Sequence, residues 1–126
     1  MALLKPFERR SSHRTRVELP LDLVLENGSI VPATASNLSA SGLQFHCDGW
    51  TAHEIDPRGV HKHALDAPPL KVVTRLHQHN IYIRCRIISA RRLSQDNYLI
   101  GLEFLSFEGD GQRHLETFLD TIPPFR

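Results

Sequence analysis

"VELPLDLVLENGSIVPATASN", residues 17–37, decides the fold class. Val17, Leu19, Leu21, Leu23 and Leu25 alternate with Glu18, Pro20, Asp22, Val24 and Glu26. A period of two gathers the first set on one face of an extended chain and leaves the other face mostly polar, which is the pattern of a half-buried strand. Asn27-Gly28 comes directly after. It is the strongest short hairpin signal, because both residues tolerate positive φ. "SIVPATASN" then returns as a second strand. Pro32, which has no amide N–H to give a ladder, marks an edge or a bulge there.

Working outward, the same alternation recurs. "SASG" turns the chain into "LQFHC", a third strand that buries Leu43, Phe45 and Cys47. "LKVVTRLH", "IYIRCRIISA" and "YLIGLEF" supply three more. Ile81, Ile83, Cys85 and Ile87 form one inward face, and Tyr98, Ile100, Leu102 and Phe104 another. "QHN" at 78–80 and "SQDN" at 94–97 provide polar turns. After "EGDG" the period changes. Leu115, Phe118, Leu119 and Ile122 are spaced i, i+3, i+4, i+7, as on an amphipathic helix with Asp110 at its N-cap and Pro123-Pro124 as its stop. Six strands and one terminal helix predict a mainly β chain, a six-stranded antiparallel β-barrel with a C-terminal α-helix over an open end. Residues 48–69 break the pattern with Trp50, three histidines and three prolines, and read as a long loop with room for a helical turn.

The chain has 126 residues and 23% charged residues, which suits one globular domain. Its formal net charge is only +1, but the charge is unevenly spread. Residues 1–16 hold five basic side chains (Lys5, Arg9, Arg10, Arg14, Arg16) against Glu8, or +4, so the rest carries −3. Residues 1–16 therefore read as a flexible basic N-terminal arm on a mildly acidic body, 17–126. A small anion is a better match for such an arm than a long nucleic acid. No apolar run is long enough to span a membrane and "MALLKPFERR" has no signal-peptide core, so a cytoplasmic protein is expected. Cys47 and Cys85 fall in apolar alternations and read as buried, reduced thiols.

Two motifs carry the chemistry. Arg10 and Arg14 form RxxxR. On an extended segment their Cα atoms span up to roughly 13 Å, a nucleotide-sized gap. Guanidinium groups fork onto phosphate and onto the O6/N7 edge of guanine, and stack on purine faces. "NLSASG", Asn37 to Gly42, fits [D/N]xSxxG. Its asparagine carbonyl can accept from guanine N1–H or N2–H, the Ser39 hydroxyl can bond a base or phosphate, and Gly42 permits positive φ and a close backbone approach. The plain alternatives are a solvated tail and an ordinary turn.

RxxxR followed by [D/N]xSxxG, with "GLEF" near the end of the sheet and a final helix, resembles the PilZ domain family over about Phe7 to Phe118. The resemblance implies a PilZ-type barrel that acts as a receptor for cyclic di-GMP, a bacterial second messenger. It places Arg9, Arg10, Arg14, Asn37, Ser39 and Gly42 at the ligand. Arg9, just before RxxxR, implies two ligand molecules per chain. The expected mechanism is an arm that folds over the barrel on ligand binding and alters contact with a downstream protein, with no catalysis, no metal and no cofactor beyond the ligand. The alternative is a PilZ-like interaction module that binds no nucleotide; a nucleic-acid-binding small barrel is a third class. The His61/His63 and His77/His79 pairs read as surface histidines, Trp50 as packing with a partner-facing anchor as the alternative, and Arg84 and Arg86 as the solvated face of their strand, with an extension of the basic surface as the alternative.

Overall fold

A computed structural model describes residues 14–57 and 69–122. Arg9 and Arg10, His61 and His63, Pro123 and Pro124 lie outside the described residues. Six strands form a closed antiparallel barrel in the order β1-β2-β3-β6-β5-β4. They are β1 Thr15–Val24, β2 Ile30–Leu38, β3 Gly42–Cys47, β4 Leu70–Leu76, β5 His79–Ser94 and β6 Asn97–Phe107. A short helix α1, Gly49–Ile55, comes after β3, and α2, Gly111–Thr121, after β6. β1 pairs with both β2 and β4, which closes the ring and leaves no open edge.

The alternating apolar residues make this barrel. Leu19, Leu21 and Leu23 of β1 point inward, as do Leu43 and Phe45 of β3, Leu70, Val72 and Leu76 of β4, Ile81, Ile83, Cys85 and Ile87 of β5, and Ile100 and Leu102 of β6. α2 closes one end. Leu115 is buried and Phe118 and Leu119 pack on the core, so the i, i+3, i+4 spacing faces the barrel as the sequence predicts. Burying one such leucine contributes about 2 kcal/mol.

The hairpins depart from expectation in instructive ways. Of Asn27 and Gly28, only the glycine has positive φ, +91°. Gly28 N–H donates to Leu25 O at 2.9 Å and Leu25 N–H to Ser29 O at 2.8 Å, a three-residue loop rather than the two-residue one that Asn-Gly suggests. Asn27 contributes through its side chain, whose Oδ1 accepts from Ser29 N–H at 2.9 Å. Between β4 and β5 the positive-φ residues are His77 (48°) and Gln78 (71°). That two-residue turn is held against α2, where the His77 ring meets Phe118 edge-on at 5.1 Å.

Two side chains differ from their expected roles, and part of a loop is helical. Asp110 occupies the N-cap position of α2 but makes no side-chain cap bond; its carboxylate instead takes Arg113 at 2.8 Å. Part of the expected 48–69 loop is α1, capped by Asp48, whose Oδ1 accepts from Thr51 N–H at 2.7 Å. Trp50, on α1, is 83% exposed rather than packed, because the helix turns Ile55 and not Trp50 to the core.

Candidate functional site

The site grows from one irregularity in β2. Ala35 pairs with Phe45 of β3, but the next pair is Asn37 with Gln44, so Ser36 is an extra residue. A bulge shifts the alternation by one and re-aims the side chains beyond it. Without it Asn37 would share the inward face of Ala35; with it Asn37 stands on the outer face beside Gln44. A second bulge lies across the barrel wall. Ile87 pairs with Leu102 and Ser89 with Gly101, so Ile88 is extra and is left 46% exposed.

These two bulges bring one rung of residues into line. Arg16 pairs with Asn37, Asn37 with Gln44, Gln44 with Gly101, and Gly101 with Ser89. The rung crosses five strands and is polar except at its glycine. Gly101 leaves a hollow between Gln44 and Ser89, and a Cβ there would run into Ser89 Oγ.

Beside the rung, β2 turns into β3 through Ser39-Ala40-Ser41. Ser39 is 5% exposed. Its Oγ accepts from Ser41 N–H and Gly42 N–H, both at 3.2 Å, and its N–H donates to Gly42 O at 2.9 Å. The hydroxyl therefore folds the turn. Gly42 does not have positive φ. Its lack of a side chain is needed because a Cβ would collide with the backbone carbonyl of Leu102 on β6. The close approach expected of it is made to the neighbouring strand.

Arg14 directly precedes the Thr15–Leu38 pair of the β1–β2 ladder, which sets it level with Ser39. The two line a common cleft with Ser41, Gly42, Gln44, Ile88, Ser89 and Gly101, of about 130 Å³. Of the expected site residues the cleft thus joins Arg14, Ser39 and Gly42. Asn37 is not in its lining; it reaches the cleft through Gln44, whose Oε1 accepts from Asn37 Nδ2–H at 3.2 Å. On the next rung Gly42 pairs with Glu103 and Glu103 with Arg86. The Arg86 Nε–H···Glu103 Oε1 bond of 2.8 Å leaves Arg86 half-buried and paired rather than solvated. Gln44, Ile88 and Ser89 escaped the sequence reading. Gly101 was the available signal, since a glycine on the outer face of an apolar strand marks a place where something approaches closely.

A larger depression of about 520 Å³ lies over Pro20, Asp22, Pro32 and Thr74, away from both motifs. Among the described residues no three His, Cys, Asp or Glu gather as metal ligands, and no helix is long and apolar enough to cross a membrane. His79 stacks on His114 at 3.9 Å between ring centroids.

The PilZ domain model matches residues 8–121. The chain belongs to the PilZ domain family. Among solved structures it is similar to the PilZ domain of CeSA from a cellulose-synthesizing bacterium, with 17% identity, TM-score 0.58, and coverage of 86% of this chain and 97% of that one. The K. pneumonia MrkH–c-di-GMP complex shares 20% identity and TM-score 0.60 over 85% of this chain and 49% of MrkH. The Borreliella burgdorferi PlzA protein in complex with c-di-GMP shares 10% identity and TM-score 0.56 over 99% of this chain and 59% of PlzA. The chain thus spans nearly all of the first and about half of the other two. No curated protein sequence matches it. At these identities the likeness is one of fold.

Proposed function

We propose that this PilZ chain is a non-catalytic, cytoplasmic receptor for c-di-GMP that passes the signal to another protein. The observation that carries this reading is the shared cleft, in which a guanidinium, Arg14, faces the turn Ser39–Gly42. A cleft of about 130 Å³ is smaller than the roughly 300–1,000 Å³ of pockets that enclose a whole ligand. It suits one phosphate or the edge of one base, so the rest of a cyclic dinucleotide has to be covered by another part of the chain. The RxxxR segment is well placed for this, since it leads directly into Arg14. In this reading Arg9 and Arg10 join Arg14 on the phosphates and guanine faces, and the segment folds over the barrel as the ligand binds. Two relatives in fold are c-di-GMP complexes, which supports the choice of ligand.

The test is titration of the 15N-labelled chain with c-di-GMP. Shifts centred on Arg14, Asn37 and Ser39–Gly42, saturating at two ligands per chain, are the expected result. Shifts elsewhere, or none, contradict the receptor reading, and saturation at one ligand contradicts only the stoichiometry.

A second reading, a protein-interaction module, is favoured by Trp50. An isolated tryptophan 83% exposed is the type of side chain that anchors partners. In the receptor reading it belongs to the output side. Trp50→Ala is then expected to leave c-di-GMP affinity within about twofold, since distant sites act independently. A large loss of affinity would place Trp50 in the ligand site instead.

A further inference from the structure

An asparagine is an ambiguous choice for reading a base. Its side chain offers an acceptor and two donors on one planar group, and a turn of 180° exchanges them. An aspartate, the other residue allowed at this motif position, offers acceptors only. At positions 1 and 2 of its pairing edge guanine presents two adjacent donors, N1–H and N2–H, whereas adenine presents the N1 acceptor and C2–H there and has its one donor at N6. The preference of the site therefore depends on which end of Asn37 faces the ligand, and something must hold that end.

Gln44 is the group that touches it. The Asn37 Nδ2–H donates to Gln44 Oε1 at 3.2 Å, which engages one N–H of the amide, turns the nitrogen toward Gln44 and leaves Asn37 Oδ1 to accept from elsewhere. Gln44 is itself fixed. Its backbone sits between the buried Leu43 and Phe45, and its main-chain carbonyl accepts from Ser36 Oγ at 3.4 Å. Ser36 is the bulge residue that turned Asn37 outward, so one device aims the asparagine and anchors the backbone from which its partner projects. Gln44 also lines the Arg14 cleft, which Asn37 does not. We infer that Gln44 is a positioning residue that locks the Asn37 amide with its oxygen outward, making it an aspartate-like acceptor and setting a preference for guanine over adenine. This deepens the receptor reading and rests on it.

The test is a double-mutant cycle with two ligands, c-di-GMP and c-di-AMP. Gln44→Met, close in shape but without an acceptor, is expected to weaken c-di-GMP roughly fivefold, the effect of one lost hydrogen bond, and to narrow the preference over c-di-AMP. In an Asn37→Asp background the orientation no longer matters, and Gln44→Met is expected to change affinity by less than about twofold. Gln44→Glu keeps an acceptor and is expected to keep the guanine preference. Equal losses from Gln44→Met in both backgrounds would overturn the inference while leaving the receptor reading standing. A wild-type chain that binds neither nucleotide would overturn the receptor reading itself. The Gln44–Asn37 contact is tested without any nucleotide. In the ligand-free protein the Asn37 Nδ2 resonances are expected to move in Gln44→Met and hold in Gln44→Glu; unmoved resonances in both would show that the amide is not held by Gln44.

Discussion

A methyl group on Gly42 would meet the Leu102 carbonyl of the adjacent strand. That obstacle is backbone, which cannot swing aside as a side chain can. Gly42→Ala is therefore expected to lower stability by about 2 kcal/mol, read as a lower midpoint in urea at unchanged slope. The motif glycine is needed by the barrel before any ligand arrives; an unchanged midpoint would show that β3 and β6 can separate at no cost. Ser39 shows the same economy, because its hydroxyl is spent on two backbone N–H groups of its own turn. The sequence made both residues visible as a motif, but the use of Gly42 was hidden because it depends on Leu102 of β6, far along the chain. The cysteines also depend on their surroundings. Burial pushes the Cys47 thiol up to about 11, with the Asp48 carboxylate adding to the shift, and burial pushes Cys85 up to about 12. Both folded values lie above the ordinary 9.0. Their contribution to stability is present below pH 9 and is lost as pH rises from about 9 toward 11–12. Iodoacetamide labelling of the folded chain is expected to be slow at pH 7.5 at both thiols. Cys85 is buried as expected, whereas Cys47, at the end of β3, is only half-buried; fast labelling of Cys47 there would contradict its raised thiol.

At the scale of elements, the strands were legible because each buries one face, and a period of two records that directly. The helix α2 was legible from its own period. Turns were less so. Asn27-Gly28 marked the right place but the wrong loop length, and the turn expected at 78–80 falls one position earlier, on the left-handed pair His77-Gln78, with His79 and Asn80 already in β5. There the packing of His77 on Phe118 overrides local preference. Gln78 has no such packing, so Gln78→Gly is expected to stabilise the chain by about 0.5–1 kcal/mol, because relief of the left-handed strain outweighs the added freedom of glycine in the unfolded chain. Chemical denaturation checks this, and a loss of stability would mean that Gln78 makes contacts that outweigh its backbone strain. Bulges were the least legible feature. Pro32 drew attention as a breaker, yet it sits in a regular pair with Asp22. The extra residues that shape the site are Ser36 and Ile88, neither of which breaks a strand by composition. Because the bulges place Asn37, Gln44 and Ser89 on one outer rung, the rung could not be read from the sequence either.

For the whole molecule, the proposed function makes the closed barrel one half of the site and the arginine-rich segment the half that brings charge. β1 joins the two, since Arg14 directly precedes Thr15 at its start and Arg16 is already paired with Asn37 in the ladder. The cationic residue nearest the polar turn is thereby set by strand register. The central claim is that Arg14 and the Asn37–Gly42 turn grip one c-di-GMP site between them. Calorimetry with c-di-GMP on the wild type and on Arg14→Ala tests it most directly. The account predicts tight binding by the wild type and a loss of about ten- to hundredfold in Arg14→Ala, as for a hydrogen-bonded charge removed from a phosphate, with the melting temperature of the ligand-free chain unchanged. Equal affinity in the two proteins would contradict it.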